Sequence, residues 1–178
     1  EKNSVAKVGR RYYSCAMKLQ AKEYRPLDAR DRKILNLVQR DAKLPQSEIA
    51  KRVGLSTAAV NERLKKLEQS GVIRNWSAHV DPRALGVGIT AFIEVFIERP
   101  QLEGNFIEQV SKLDEVLELH HVTGEFSLLL KVRTHDMDAL KELLLNQLNA
   151  HEGVRQTRTV MVLSTHKEES FVPTAAKG

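Results

Sequence analysis

An α+β chain of two domains is what this sequence predicts, and three observations carry the prediction. Apolar residues recur at helical spacing in three segments between Leu27 and Gln69, then from Ile89 onward alternate at the strand period. Turn-forming Asp81, Pro82, Gly86 and Gly88 punctuate the change. Charge also divides near there: residues 1–76 hold 18 Lys and Arg against 8 Asp and Glu, a balance of +10, whereas residues 77–178 hold 10 against 15, a balance of −5. With 178 residues, 42% of them hydrophobic, the chain can build two small cores.

Residues 1–26 scatter basic and apolar residues, with Tyr12 and Tyr13 as an aromatic pair, and stop at Pro26, which disfavours helix in the residue before it. They read as a basic arm. Asp28 then offers an N-cap, Asp31 sets a carboxylate in the first turn, and Ile34, Leu35 and Val38 recur at helical spacing, which predicts a helix over Asp28–Gln39. Pro45 stands at the start of a second helix, where its missing N–H costs little; Ile49, Ala50 and Val53 form the buried stripe, and Gly54 ends it. Ser56 caps a third helix, Thr57–Gln69, with Val60, Leu64 and Leu67 inward and Gly71 at the left-handed exit. The run VIRNWSAHV that follows has the composition of one or two short strands, which would give the helices a wing.

The second half opens with a strand over Ile89–Glu98. Ile89, Ala91, Ile93, Val95 and Ile97 lie on one face, and Thr90, Phe92, Glu94, Phe96 and Glu98 on the other. Leu102, Phe106, Val110 and Leu113 predict a helix, and Val116–Val122 and Phe126–Arg133 two strands about Thr123, Gly124 and Glu125. A helix capped by Asp136 carries Met137, Leu140, Leu144 and Leu148, and Val154–Leu163 is a last strand. The whole reads as a winged helix-turn-helix domain over 27–76, a linker over 77–88, a ferredoxin-like βαββαβ sandwich over 89–164 and a tail over 165–178. Helices cover one face of such a sheet, so Phe92 and Phe96 face outward and call for a second subunit.

Function is written most clearly in AKRVGLSTAAVNERLKKLEQSGVI. A small residue is needed where two helices touch, a glycine where the backbone bends sharply, and a branched apolar residue to hold the second helix. Ala50, Gly54 and Val60 supply all three. With Val60, Leu64 and Leu67 inward, Thr57, Ala58, Asn61, Glu62 and Lys65 lie on the outer side. Short side chains there let a helix enter the major groove, where amides and hydroxyls meet base edges and cations such as Lys65 and Lys66 meet phosphates. The free N–H groups behind Ser56 can receive a phosphate. Arg63 has two readings, a phosphate contact or an ion pair that braces the domain. The +10 half makes double-stranded DNA the expected partner.

Other chemistries find little support. Cys15 is the sole cysteine, which excludes an intramolecular disulfide and points to a reducing compartment. His120 and His121, adjacent on a strand, point to opposite faces and cannot chelate one ion; no phosphate-cradling glycine loop or catalytic set stands out, so neither metal, cofactor nor enzymatic activity is expected. No apolar run approaches the roughly 20 residues that span a bilayer, and a cytoplasmic protein is expected.

VGLSTAAVNERLKKLEQSGVIRNWSAHVDPRALG, with LDARDRKILNLVQRDAKLPQSEIAKR before it, resembles the DNA-binding module of the Lrp/AsnC (leucine-responsive, feast/famine) transcription regulators. HHVTGEFSLLLKV and GVRQTRTVMVL resemble pieces of that family's ligand-sensing domain. The resemblance implies a nucleoid-associated homodimer formed through the open sheet faces, with dimers assembling into octamers, and an amino-acid or other small-metabolite effector. The effector site implied involves His121, Thr123, Gly124, Glu125 and Ser127, with Thr157 and Thr159 as further polar contacts. At two places the chain departs from the family pattern: Ser127 replaces the second acid of the loop, and His121 stands where an apolar residue is frequent. A serine hydroxyl holds an ammonium group more weakly than a carboxylate does. Glu125 taking over, a different metabolite, and a purely structural loop all fit that change. Sirohaem decarboxylases share the two-part architecture, but Trp76–Gly86 follows the regulator version of the linker; an effector-free architectural DNA-binding protein is the other alternative.

Overall fold

The computed structural model describes Tyr24 and residues 26–174. The first 23 residues, with Tyr12, Tyr13 and Cys15, lie outside the described residues, so the arm reading is carried by sequence alone. Two compact units result: the described residues up to Ala78 together with those from Lys167 on, and His79–His166.

In the first unit three helices enclose one core: α1 (Ala29–Arg40), α2 (Gln46–Val53) and α3 (Thr57–Gln69). Asp28 and Asp31 form a reciprocal capping box at the start of α1, each carboxylate accepting from the other's backbone N–H, at 2.7 and 3.3 Å. Gly54 ends α2 at φ 67°, ψ 47°, and the Leu55 N–H returns 3.0 Å to the Ala50 carbonyl. A Cβ on Gly54 would meet nothing within 4 Å, so the left-handed backbone, rather than lack of room, demands glycine there. Ile34, Leu35, Val38, Ile49, Ala50, Val53, Val60, Leu64 and Leu67 are the buried side chains, as their spacing predicts.

The strands expected in VIRNWSAHV do not form. Val72 and Ile73 pack half-buried on the helical core, and the Ile73 N–H bonds the Leu67 carbonyl at 3.0 Å; the chain then runs on exposed, without a backbone partner among the described residues to make a ladder. Trp76 instead donates its indole N–H to Glu68 at 2.8 Å, beside the end of α3. The last described residues also belong to this unit. The side-chain amide of Gln39 donates to the Val172 carbonyl at 3.1 Å and accepts from its N–H at 2.8 Å, and the Arg40 guanidinium lies 4.6 Å from the centre of the Phe171 ring.

The second unit begins with a 3-10 turn, Pro82–Leu85, capped by Asp81 and tied to the unit by a contact between His135 Nδ1 and the Gly86 carbonyl at 3.3 Å. Then follow β1 (Ile89–Ile97), α4 (Pro100–Val110), β2 (Val116–His121), β3 (Leu128–Thr134), α5 (Met137–Glu142), which widens into a π-helical turn over Leu143–Leu148, and β4 (Val154–Met161). The sheet order is β2-β3-β1-β4 with every neighbour antiparallel, the βαββαβ arrangement expected. Ala91, Ile93, Val95 and Ile97 are buried with Leu128, Leu130 and Val132 and with Phe106, Val110, Leu140 and Leu148 of the helices. The opposite face of β1 holds Phe92, Glu94 and Phe96, all half-buried.

Candidate nucleic-acid interface and effector loop

Ser56 sets the entry of α3: its backbone is extended and its Oγ accepts from the Ala59 N–H at 3.2 Å. Thr57, Ala58, Glu62, Lys65 and Lys66 are exposed, and Asn61 is half-buried on the same side. Lys66 pairs with Glu62 one turn away at 2.5 Å, and that pair, more than any other neighbour, holds the Glu62 carboxyl below its ordinary range. Lys65 makes no side-chain hydrogen bond or ion pair with the described residues, which leaves its ammonium group available to a polyanion.

Arg63 makes the ion pair of its second reading. Its Nη1 lies 2.6 Å from Asp28 Oδ2 and 2.8 Å from Asp31 Oδ1, so the guanidinium braces the cap of α1. Asp31 is wholly buried and Arg63 is 26% exposed. The Asp28 carboxyl is held below its ordinary value first by the Asp31 N–H and then by Arg63, and the same two acids raise Arg63. Fastened through its own arginine to the cap of α1, α3 keeps a fixed angle to that helix, as a helix that enters a groove must.

In the second unit the loop between β2 and β3 turns at Gly124, φ 131°, a backbone region open to glycine, and Thr123, Gly124 and Glu125 are exposed. It closes by the Val122 N–H donating to the Ser127 carbonyl at 2.9 Å. Ser127 and His121 are brought together by a residue that the sequence pattern does not single out. Ser127 Oγ donates to Glu103 Oε1 at 2.9 Å, and His121 Nε2 lies 3.4 Å from Glu103 Oε2. Glu103 stands in the first turn of α4, where an acid is ordinary as a partner for the helix dipole, and that ordinariness hides it. His120, on the other face of β2, pairs with Glu118 at 3.3 Å. Burial works against the Glu118 charge, but His120 and Lys131 together hold its carboxyl below the usual range.

Thr157 and Thr159 are not part of this cluster. They lie on β4, at the opposite edge of the sheet from β2, and Thr157 donates to Asn149 at 3.2 Å. Between them Arg158 projects to the open face, contacts Glu94 and lies over the Phe126 ring, 5.2 Å from its centre. Polar pairs thus border Phe92 and Phe96.

Comparison with known proteins accounts for both units. Residues 27–74 match the family model of a winged helix-turn-helix DNA-binding domain, and residues 90–172 that of the Lrp/AsnC ligand-binding domain. The chain is 36% identical over 148 residues to the HTH-type transcriptional regulator FL11 of Pyrococcus horikoshii, covering 83% of this chain and 97% of that one. It is 38% identical over 146 residues to the leucine-responsive regulatory protein of Escherichia coli, covering 81% of this chain and 89% of that one. Among solved structures, a transcriptional regulator from Neisseria meningitidis in complex with L-Met superposes with a TM-score of 0.78 at 34% identity, over 83% of this chain and 97% of that one. A DNA-reading helical unit joined to a ligand-binding βαββαβ unit, each matched to its own family model, places this chain in the Lrp/AsnC family of DNA-binding transcriptional regulators.

Proposed function

We propose that the protein works as a homodimer, assembled further into octamers, that reads a pseudo-palindromic DNA site with two copies of α3 and answers to an amino acid or a related small metabolite. In this reading Thr57, Ala58 and Asn61 face base edges. Ser56, Lys65 and Lys66 face phosphates, and Glu62 holds Lys66 in place. The observation that carries the DNA contacts is the pose of α3: its first turns are small, polar and exposed while Arg63 fastens the helix from behind. Two-fold symmetry puts the half-sites about one helical turn, 10–10.5 base pairs, or a multiple of it apart. Phe92 and Phe96 on the open sheet face support the dimer, since two half-covered aromatic rings in a polar frame form a surface that a second copy covers. The L-Met complex of the Neisseria meningitidis relative supports an amino-acid effector, for which the Gly124 loop is the proposed site. A cytoplasmic, nucleoid-associated location accords with these partners.

The test is selection of binding sites from random DNA by the full chain and by its Asn61→Ala variant. Base preference at one position of each half-site is expected to relax by about 1–3 kcal/mol if Asn61 makes a bidentate contact. An equal loss on every sequence would assign Asn61 to the backbone. Lys65→Ala is expected to weaken all sequences alike and to lower the slope of log affinity against log salt by about 1 for each phosphate that Lys65 neutralises in the wild type. An unchanged slope would remove Lys65 from the interface.

A further inference from the structure

The candidates beyond the DNA helix are the polar frame of the open sheet face, the seat of the C-terminal segment on α1, and the carboxylate of Glu103. The last carries an inference furthest. We infer that Glu103 is the anionic anchor of the effector site and that it receives the ammonium group of an amino acid. The inference rests on the effector reading above and names the residue that gives the site its charge.

Three observations meet at Glu103. Its side chain is only 13% exposed, whereas His121 beside it is 54% exposed, so the carboxylate lies mostly covered next to a residue open to solvent. Among the described residues its one ion-pair partner is His121, which is charged only when protonated; no lysine or arginine neutralises it. A carboxylate removed from most of its water and lacking a permanent cation is costly, and a cationic ligand relieves that cost. The Ser127 hydroxyl donates to Oε1 and thereby fixes the orientation of the group, while each oxygen keeps acceptor capacity for an N–H donor. Charge-assisted bonds of roughly 2.7–2.9 Å from an ammonium group fit that remaining capacity.

One carboxylate joins the loop to the helix behind it. Glu103 of α4, 24 residues earlier in the chain than Ser127, lies at hydrogen-bond distance from the serine hydroxyl. His121 provides the second contact to the same carboxylate, at 3.4 Å. An amino acid bound there would present its ammonium to Glu103, beside the exposed Thr123, Gly124 and Glu125.

The experiment is thermal unfolding of the full chain with each of the twenty L-amino acids, followed by titration calorimetry of any that stabilises it, on the wild type, Glu103→Gln and Ser127→Ala. The α-hydroxy acid bearing the same side chain is titrated on the wild type. Glu103→Gln keeps the shape and removes the charge. It is expected to weaken the stabilising amino acid by at least about tenfold, with Ser127→Ala weakening it less, and the α-hydroxy acid is expected to bind the wild type at least about tenfold more weakly than the amino acid. Affinity retained within about threefold by a folded Glu103→Gln, or by the α-hydroxy acid, would overturn the anchor and leave the effector reading standing. Should Glu103→Gln not fold, the α-hydroxy acid on the wild type decides alone. A wild type that none of the twenty stabilises would overturn the amino-acid anchor and leave the effector reading to other small metabolites.

Discussion

Arg63→Ala is the most informative single change, because it separates a brace from a DNA contact. Removing the guanidinium takes away the donor that now lies 2.8 Å from Oδ1 of the wholly buried Asp31, while the Asp28 N–H still reaches Oδ2 at 3.3 Å. Removing one partner of a buried charge pair costs up to about 3–5 kcal/mol. Arg63 is 26% exposed, so water enters part of the vacated space, and the expected loss falls to about 2–3 kcal/mol. The half-exposed Asp28 adds little. Trp76 is the only tryptophan and hydrogen-bonds Glu68 in the helical unit, so its fluorescence during urea unfolding reports that unit alone. At a slope of about 1 kcal/mol per molar urea for so small a unit, the midpoint should fall by about 2 M or more. Asp31→Asn added to Arg63→Ala removes the buried charge as well and should recover part of the loss. A midpoint lowered by less than about 0.5 M, together with a flattened salt dependence of DNA binding, would refute the brace and restore Arg63 to the phosphates.

Further expectations concern acid, oligomer and turn. Asp28 has a folded pKa below its ordinary 3.8, so its stabilisation is complete above that value and is lost as pH falls through the lowered one. The Trp76 transition should weaken in that window, and Arg63→Ala should flatten the dependence; parallel profiles for the two proteins would dissociate the cap from the arginine. Phe92→Glu sets a charge in the proposed dimer face and should reduce the light-scattering mass, whereas an unchanged mass would place the dimer contact elsewhere. Gly54→Ala forces a Cβ into the left-handed region at φ 67° with open space around it, so a loss of about 1–2 kcal/mol is expected from backbone alone. A much larger loss in the same urea assay would mean that neighbours, and not the backbone, hold the turn.

Local regularities are the part legible in the sequence. The caps at Asp28, Ser56 and Asp136 and the alternation of β1 each depend on residues within a turn or two, where spacing is informative. The run VIRNWSAHV misleads because β-forming composition says nothing about whether a partner strand exists. From sequence Arg63 is only a choice between two roles, since its acids lie 32 and 35 residues away. Glu103 is hidden for the same reason: a first-turn acid is locally explained, and only the fold brings it to Ser127 and His121. The widening of α5 into π geometry over Leu143–Leu148 likewise has no signal in the apolar spacing.

The return of Phe171 and Val172 to Gln39 and Arg40 makes the helical unit discontinuous in the gene. Its first and last pieces are translated with the whole ligand-binding unit between them. On the ribosome the three helices can pack early, but their final contact waits until Phe171 and Val172 have emerged. The same wiring makes the neighbourhood of Phe171 a poor place to insert a bulky group, since that segment seats on α1. Proteolysis between β4 and Phe171 acts on the DNA-reading half of the molecule, although in sequence the cut lies beside the ligand-binding unit.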